Sequence, residues 1–383
     1  MKWFGRKAAR GTGRPFLYAP WRAMFAAEPW PRSYEAQVRE AYLANPVAQR
    51  AVRLVAESVA WAPLFASDAR EDAARLAPPA LLERVATQLL LHGNAFVQVL
   101  QDGEGVPAEL FALRPERVTI EADSGGWPAA YLYKVGEAKS RIAARDGLGR
   151  PGVAHLAAAH PLDDHYGLGC LGAAAGAVAV HNAAAKWNKA LLDNAARPSG
   201  ALIYDAGEGA ALSGEQFARL RAEMEAQFSG SENAGRPLLL EGGLKWQAMS
   251  LTPADMDFVG LKAAAAREIA LAFGVPPMLL GLPGDATYAN YKEANRALWR
   301  LTVLPMAARI LRGIGDALAS WWPGLRLEVD MDRISALAEE RERLWRQVSA
   351  ADFLSDEEKR EMLGFEPTPS SRLDGGPGKG AKP

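Results

Sequence analysis

The stretch Glu268-Ile-Ala-Leu-Ala-Phe-Gly-Val-Pro-Pro-Met-Leu-Leu-Gly281 decides the fold of this chain. It closes an alanine-rich, apolar segment that predicts a helix over residues 253–273. Gly274 is typical of the residue just past a helix, because glycine adopts the left-handed conformation that this position needs. Pro276 and Pro277 prevent continuation, since proline lacks an N–H group and restricts the residue before it. The sequence therefore predicts a long helix that ends abruptly, followed by a loop over residues 278–287.

An interrupted helix is predicted after this loop, over residues 288–322. Pro305 lies inside it and predicts a kink, because a proline within a helix removes one hydrogen bond and clashes with the preceding turn. Residues 325–329 then predict a strand, and residues 335–363 predict two charged helices.

A second long helix, also rich in alanine, is predicted upstream over residues 170–195. The segment between the two long helices has a strand–helix–strand pattern, with the strands at 201–204 and 237–240 and the helix at 213–228. Ser213 and Gln216 have the spacing of a capping box at the start of that helix. The sequence thus predicts a small module inserted between two long helices.

The first third of the chain predicts a mixture of helices and strands. Apolar residues recur at helical spacing over 45–60 and 78–91, and Asn45 and Pro46 are typical of an N-cap and a first helical position. Alternating patterns predict strands, at 96–100, 118–121 and 131–135. Residues 152–169 predict a loop that holds three of the five histidines. The fold class expected for the whole chain is α+β.

Composition argues against several functional classes. The 383 residues carry a net charge of −1, whereas proteins that grip nucleic acid tightly are usually basic, so any contact with DNA should be loose and independent of sequence. Cys170 is the single cysteine, which argues against a disulfide framework and fits a reducing compartment. The basic N-terminus lacks the apolar core of a signal peptide, and the apolar run 168–180 is too short to span a membrane. We expect a soluble protein or one held in a larger assembly, with no membrane partner.

One glycine motif could indicate dinucleotide binding. Residues Gly167-Leu-Gly-Cys-Leu-Gly172 match G-x-G-x-x-G before a helix, but a polar loop precedes them where the fingerprint needs a strand. The favoured interpretation is that small residues let this helix begin against a neighbouring element.

The remaining candidates for chemistry are weaker. A loop holds possible metal ligands, namely His155, His160, Asp163, Asp164 and His165, but their spacing fits no usual zinc site. Asp330 and Asp332, joined by Glu328, could bind a divalent ion, although a solvated strand end is the default interpretation. The sequence has no P-loop and no nucleophile with a companion base. We therefore expect no catalytic residues, no metal, no cofactor and no enzymatic activity.

An ordered series of short motifs resembles the portal proteins of tailed bacteriophages, in the branch typified by phage HK97. The resemblance spans about residues 45–364. Its motifs are Asn45-Pro-Val, Ala60-Trp-Ala-Pro63-Leu64, Leu91-His-Gly-Asn94-Ala95, Leu113-Arg-Pro115, Asn194 to Gly200, Asn233-Ala-Gly235, Leu240-Glu-Gly-Gly243, Gly274-Val-Pro-Pro277, Leu280-Gly281 and Pro305. Ala195, Cys170 and Glu357 depart from residues common in the family, which affects local contacts only. The chain is short for a portal, as a gene transfer agent portal would be.

The resemblance implies a portal fold with named parts. They are an N-terminal arm (1–32), a wing (33–169), a first stem helix (170–197), a strand–helix–strand clip (198–251), a second stem helix (252–274), a tunnel loop (275–287), a kinked helix with a return strand to the wing (288–331), a short helical crown (332–366) and a disordered tail (367–383).

The resemblance also implies a function. A dodecameric ring would form a channel at one capsid vertex, through which the terminase packages double-stranded DNA and through which the DNA later leaves. The implied partners are other copies of the chain, the large terminase subunit, the head–tail adaptor and the major capsid protein. The protein would lie at the portal vertex of a virion or phage-like particle that is assembled in the bacterial cytoplasm.

Three groups of residues are expected to build the channel. Candidates for the tunnel-loop surface are Met278, Leu282, Pro283, Asp285, Thr287, Tyr288 and Asn290. Residues that would shape the loop are Gly274, Val275, Pro276, Pro277, Gly281 and Pro305. Candidates on the stem are Lys186, Lys189 and Arg197, which either face the lumen as weak phosphate contacts or pair with acidic residues between subunits.

Two alternatives remain open from sequence. A nucleotide-dependent oxidoreductase using Gly167–Gly172 would be a monomer or dimer, and a head–tail adaptor would not nucleate capsid assembly. The mass of the native particle separates the oxidoreductase from a ring.

Overall fold

The computed structural model describes residues 33–67, 71–193, 200–204, 213–228, 244–248, 257–282 and 287–364. The helices are α1 (Tyr34–Val38), α2 (Pro46–Ala60), α3 (Glu71–Arg75), α4 (Pro79–His92), α5 (Leu171–Asp193), α6 (Gly214–Phe228), α7 (Phe258–Ala272), α8 (Tyr288–Leu298), α9 (Leu304–Leu318), α10 (Ala338–Ser349) and α11 (Asp356–Met362). The strands are β1 (Leu64–Ala66), β2 (Asn94–Gln101), β3 (Pro107–Leu113), β4 (Val118–Ala122), β5 (Pro128–Val135), β6 (Ala138–Ala143), β7 (Val153–Ala157), β8 (Gly200–Tyr204), β9 (Leu244–Ala248) and β10 (Leu327–Val329). This mixture confirms the predicted α+β class.

The larger apolar core lies among α2, α4 and α9 and the sheet β3–β2–β7, and it extends to α5 and α7. Helix α2 begins as the sequence predicts: Pro46 occupies its first turn, and the Asn45 side chain accepts hydrogen bonds from Val47 N and Ala48 N at 3.0 Å. Helix α4 ends at Gly93, whose φ of 81° is the left-handed conformation that glycine tolerates best. Both predicted helices of this region are confirmed.

A second antiparallel sheet, β4–β5–β6, packs over a smaller core with the first sheet. Phe96 and Leu113 come from the first sheet, and Val118 and Tyr131 come from the second. These side chains are buried because both sheets have an apolar face that must be removed from water. Predicted strands in this region lie within β2, β4 and β5, whereas β3, β6 and β7 were not predicted.

A strand from the last part of the described chain pairs with the first strand, β1. Strand β10 pairs antiparallel with β1, so that Leu64 faces Val329, and Asp330 N donates to Pro63 O at 2.8 Å. The strand predicted at 325–329 is therefore confirmed over Leu327–Val329. The helix predicted to reach Trp322 ends earlier, at Leu318, because the N–H groups of Trp321 and Trp322 both turn back onto the Leu318 carbonyl oxygen.

The prediction of a loop over residues 152–169 was wrong for its first residues. Residues Val153–Ala157 form strand β7, which pairs with β2 in register from Asn94↔Ala157 to Gln98↔Val153. A five-residue strand at a sheet edge carries too few residues for a clear alternating pattern, so its identity depends on its partner. Among the described residues, no helix is both long enough and apolar enough to cross a membrane.

Candidate functional site

The two long alanine-rich helices pack side by side. Helices α5 and α7 are in contact, and the Trp187 ring stacks on the Phe258 ring with centroids 4.2 Å apart. The side of α7 that faces the core is made of small and apolar residues, namely Ala265, Ala266, Ile269 and Ala270. Small side chains let two helices approach closely.

The start of α7 differs from the prediction. Asp257 was expected inside the helix but is its N-cap, with φ 39° and a side chain that accepts from Gly260 N at 3.1 Å. An aspartate is favoured at this position because its carboxylate accepts from the free N–H groups of the first turn. The predicted first residues of the helix, 253–256, lie outside the described part of the chain.

A strand–helix–strand segment lies between α5 and α7 in the sequence, as predicted. Strands β8 and β9 pair antiparallel, from Gly200↔Ala248 to Tyr204↔Leu244. Helix α6 begins with the predicted capping box, since Gln216 N donates to Ser213 Oγ at 3.2 Å and Ser213 N donates to Gln216 Oε1 at 2.9 Å. The second strand was predicted at 237–240, which the structure does not describe; the strand that pairs with β8 is β9.

Helix α7 ends in a Schellman motif at the predicted glycine. Gly274 has φ 65°, its N–H donates to Leu271 O at 3.0 Å, and Val275 N donates to Ala270 O at 2.9 Å. Pro276 and Pro277 follow and lead into a 3₁₀ turn, Pro277–Leu280, that ends at Gly281 with φ 73°. The abrupt end predicted from this stretch is confirmed.

The loop predicted to begin at Met278 is shorter than expected. Met278 lies in the 3₁₀ turn, and Leu279 and Leu280 pack against the main core, because two leucines in sequence gain free energy by leaving water. Leu282 is half-buried at the end of this turn. Pro283 and Asp285 lie outside the described residues.

The far end of the predicted loop opens α8. Thr287 is its N-cap, with its hydroxyl accepting from Asn290 N at 3.2 Å. Tyr288 is 79% exposed, and Asn290 is also exposed. Lys292 lies over the Tyr288 ring, 5.8 Å from its centroid. The surface at this helix start is therefore polar and aromatic.

The helix after this point is interrupted just before Pro305. A π-helix, Trp299–Val303, joins α8 to α9, and Leu304 N donates to Trp299 O, five residues back. Pro305 has no N–H to donate and its ring crowds the preceding turn, so a locally widened helix accommodates it. The predicted interruption is confirmed as a π-helix on the N-terminal side of the proline.

The two described lysines that the resemblance places on the first stem helix are accessible. Lys186 and Lys189 are both exposed on the last turns of α5, and Arg197 lies outside the described residues. Nearby, Asn45 connects α5 to the start of α2: its amide group donates to Asn182 Oδ1 at 2.9 Å and contacts His181 Nδ1 at 3.2 Å. The pKa of His181 is lowered, mainly by burial and to a smaller extent by the positive charge of Lys262 in α7.

The glycine motif at 167–172 serves packing. A Cβ atom at Gly167 would lie 2.1 Å from Gly93 O, and one at Gly169 would lie 2.3 Å from Leu91 O, whereas Gly172 has nothing within 4 Å. The first two glycines therefore let the chain pass against the end of α4. This supports the favoured interpretation and gives the motif no role in binding a nucleotide.

A buried asparagine organises the same region, which sequence reasoning missed. Asn94 Oδ1 accepts from Gly167 N at 2.7 Å and lies 3.1 Å from His155 Nε2, while Asn94 Nδ2 donates to Gly167 O at 3.1 Å. The Nδ2 group also contacts His92 Nδ1 at 3.1 Å, and burial lowers the pKa of His92 to about 4. The sequence signal for this role was an asparagine inside the apolar motif Leu91-His-Gly-Asn94-Ala95, because a buried amide group needs several hydrogen-bond partners.

The possible metal ligands are not brought together. Among the described residues, no group of three or more His, Cys, Asp or Glu side chains could hold a metal ion. His155 stacks on Phe96 within the sheet, with centroids 4.3 Å apart, and Asp163 accepts from His165 N and Tyr166 N in a turn. Asp330 caps a 3₁₀ turn and Asp332 pairs with Arg341.

A group of ion pairs joins α8 to α10. Lys292 pairs with Glu339, Arg296 Nη2 lies 3.0 Å from Glu339 Oε2, and Arg300 Nη1 lies 3.3 Å from Glu340 Oε1. The three cations recur every four residues and so lie on one side of the helix. Leu298 is the single buried residue of α8. These pairs therefore link α8 and the following π-helix to α10.

The parts described above match one family. The described residues hold two paired helices, a strand–helix–strand segment between them in sequence, and a glycine–proline turn that leads to an interrupted helix. The sequence profile of the phage portal protein family matches residues 46–364, and the chain belongs to this family. The resemblance read from the motifs is confirmed, and neither alternative function is favoured.

Three similar proteins refine this assignment. An uncharacterized protein of Rickettsia felis is 42% identical over 352 residues, covering 86% of this chain and 88% of its own. A chain solved in the neck of a native gene transfer agent particle, computed with C12 symmetry, is 47% identical with a TM-score of 0.68, covering 91% of this chain and 98% of its own. An HK97 family phage portal protein from Corynebacterium diphtheriae has a TM-score of 0.56 at 18% identity, covering 80% of this chain and 98% of its own, and shares the fold.

Proposed function

We propose that this chain is the subunit of a portal ring, the head–tail connector at one vertex of a virion or phage-like particle. Double-stranded DNA would be packaged through its channel by the terminase and later leave by the same path. The observation that carries the proposal is the 47% identity to a chain in the neck of a native gene transfer agent particle with C12 symmetry, over 91% of this chain. A twelve-membered homo-oligomer in a gene transfer agent or related phage particle follows from that similarity.

The parts of the fold would divide this work. The sheets and helices of residues 33–169, closed by β10, would form the wing. Helices α5 and α7 would form the stem around the channel within 170–197 and 252–274. Strands β8 and β9 with α6 would form the clip within 198–251, and α10 with α11 the crown within 332–366.

The channel surface would hold DNA weakly. Thr287, Tyr288 and Asn290 form a polar, uncharged start of α8, and the chain as a whole carries a net charge of −1. Such a surface releases few counterions from DNA, so binding would be weak and independent of sequence. Lys186 and Lys189 would add scattered phosphate contacts along the stem.

The partners would be those of an assembly protein rather than of an enzyme. The clip would contact the large terminase subunit and the head–tail adaptor in turn, and the wing would contact the major capsid protein. Assembly would take place in the cytoplasm of the bacterial host. No cofactor is needed for this role.

The test is the native mass and shape of the full chain. Mass photometry of the purified protein should give about twelve times the 41.2 kDa chain mass, and negative-stain images should show rings with a central hole. A monomer or dimer at micromolar concentration would contradict the proposal. A ring that forms but never enters particles when co-expressed with the capsid protein would favour a role outside the vertex.

A further inference from the structure

Large apolar side chains lie exposed on the outer side of α7 and at its junction with the π-helix. Leu271 is 79% exposed and Leu301 is 78% exposed. They lie next to the hydrogen bond from Thr302 Oγ1 to Gly274 O, which joins the end of α7 to the π-helix. Leu261 and Ala264 continue this exposed side along α7. We call these four residues the outer apolar face.

The outer apolar face has the character of a protein interface. Exposed large aliphatic side chains raise the free energy of a protein in water, and contiguous groups of them usually mark contacts with another protein. Arg267 is exposed at the edge of this side of α7, and Glu268, four residues after Ala264 and three before Leu271, is exposed within it. Exposed leucines with a carboxylate among them suit a protein partner better than DNA, because the carboxylate repels phosphate groups.

The side of α5 turned away from the core is lined by small residues. Its residues Gly172, Gly176, Ala179 and Ala183 are exposed and fall on one side of the helix at 3.6 residues per turn. We call them the small-residue face. A Cβ atom at Gly176 would have nothing within 4 Å, so this glycine makes no room for any described part of its own chain. Glycine is nevertheless disfavoured inside a helix, which indicates that a second molecule approaches there.

We infer that the outer apolar face of one copy packs on the small-residue face of α5 in the next copy. The inference rests on the proposed ring and names the surfaces that would build it. The occupant is a second copy because a 47% identical chain is found in a neck with C12 symmetry. Two different faces are used, so each contact is head-to-tail, and a head-to-tail contact closes into a ring when the rotation fits.

The dimensions agree with this pairing. Residues 261–271 of α7 and 172–183 of α5 each extend about 15 Å along their helices, at roughly 1.5 Å per residue. A face without long side chains lets a second helix approach closely, and the leucines of the outer apolar face then fill the remaining space.

Two substitutions test the two faces separately. Leu271→Asp places a charge in the proposed contact, and Gly176→Leu adds a bulky side chain to the small-residue face at a position where an added Cβ atom meets nothing within 4 Å. Both variants should need at least tenfold more protein than wild type to form rings in mass photometry. Matched controls are Leu148→Asp, at a leucine 74% exposed between β6 and β7, and Gly147→Leu, at a glycine with nothing within 4 Å. The controls should form rings like wild type.

Circular dichroism melts of all four variants separate loss of assembly from loss of folding. The expected result is wild-type helicity in Leu271→Asp and Gly176→Leu together with loss of rings. Rings at wild-type concentration in either variant would overturn the inference while leaving the proposed function intact. Failure of the wild-type chain itself to form rings would overturn both.

Cross-linking tests the head-to-tail geometry and does not require a destabilised variant. In a Cys170→Ser background, Leu301→Cys and Ala179→Cys proteins are prepared singly, mixed, and treated with a flexible bis-maleimide. The mixture should give covalent dimers, and each protein alone should remain monomeric on a denaturing gel. Dimers formed within either single-cysteine protein, or none in the mixture, would overturn the pairing.

Discussion

The hydroxyl group of Thr302 donates a hydrogen bond of 2.6 Å to the carbonyl oxygen of Gly274. This contact joins the residue just past α7 to the π-helix that precedes Pro305. A Cβ atom at Gly274 would lie 2.9 Å from the Thr302 hydroxyl oxygen, so the glycine is needed for its conformation and also for its size. The abrupt end of α7 and the irregular helix downstream are therefore held together as one junction.

Gly274→Ala should destabilise the protein more than Gly281→Ala. Both glycines have a positive φ, and an alanine in that conformation costs about 1–2 kcal/mol. Gly281 has nothing within 4 Å, whereas Gly274 also meets Thr302, so the difference between the variants measures the contact. Urea unfolding of both variants gives the two free energies. Equal losses would show that Thr302 moves aside freely.

Gly169→Ala should destabilise strongly and Gly172→Ala should not. The new Cβ at position 169 would lie 2.3 Å from Leu91 O and force the backbone apart, whereas position 172 is open and lies in the first turn of α5. Alanine at 172 should even stabilise slightly, because it is the better helix former by about 1 kcal/mol. Thermal unfolding separates the two. A stable Gly169→Ala protein would refute the packing role of this motif.

His92 should make stability depend on pH. Burial lowers its pKa from 6.5 to about 4, so below pH 6.5 the unfolded chain takes up a proton that the folded chain does not. His92 therefore lowers the free energy of unfolding progressively as the pH drops from 6.5 towards 4, and it has no such effect above pH 6.5, where both states hold it neutral. His92→Gln keeps an acceptor for Asn94 and should reduce the slope of unfolding free energy across this window. An unchanged slope in His92→Gln would show that other groups set the pH dependence.

Removing the charges of Glu339 and Glu340 should loosen α10. Their carboxylates pair with Lys292 and Arg296 of α8 and with Arg300 of the π-helix, and solvent screens such exposed pairs strongly. Hydrogen exchange over residues 338–349 should accelerate several-fold in the double Gln variant, and salt should have a similar effect on wild type. Glu342→Gln, which breaks a pair with Arg346 within the same helix, is the matched control. Equal exchange in both variants would argue against a link between the helices.

Reversing the stem charges should reduce packaging. Lys186→Glu with Lys189→Glu places two negative charges per subunit on α5, and repeated around a ring they would repel the phosphate backbone. The measurement is the amount of nuclease-protected DNA per particle, with ring assembly checked by mass. Unchanged packaging in assembled particles would exclude a lumen role, and loss of the ring itself would instead favour pairing between subunits.

Several elements could be read from the sequence because their signals are local. Asn45-Pro46 opens α2, Ser213 and Gln216 cap α6, and Gly274 with the two following prolines ends α7. Each of these signals acts through hydrogen bonds or backbone restrictions within a few residues. Such signals can therefore be recognised in the sequence without knowledge of the tertiary structure.

Other elements were missed because their signals are distant. Strand β7 exists through its pairing with β2, and Asn94 acquires two of its partners, His155 and Gly167, from segments more than sixty residues away. The sequence predicts a loop where the structure has the 3₁₀ turn Pro277–Leu280. The burial of Leu279 and Leu280 depends on core residues from other segments, which the local sequence does not show.

The sequence by itself determined the α+β class, the abrupt end of α7 and the membership of the portal family, because helix-ending residues and ordered motifs depend on residues close together along the chain. The tertiary structure decided which glycines make room for neighbours and which leave an open face, and it joined Gly274 to Thr302. Those properties depend on distances between segments far apart in sequence. Only packing of the folded chain sets such distances.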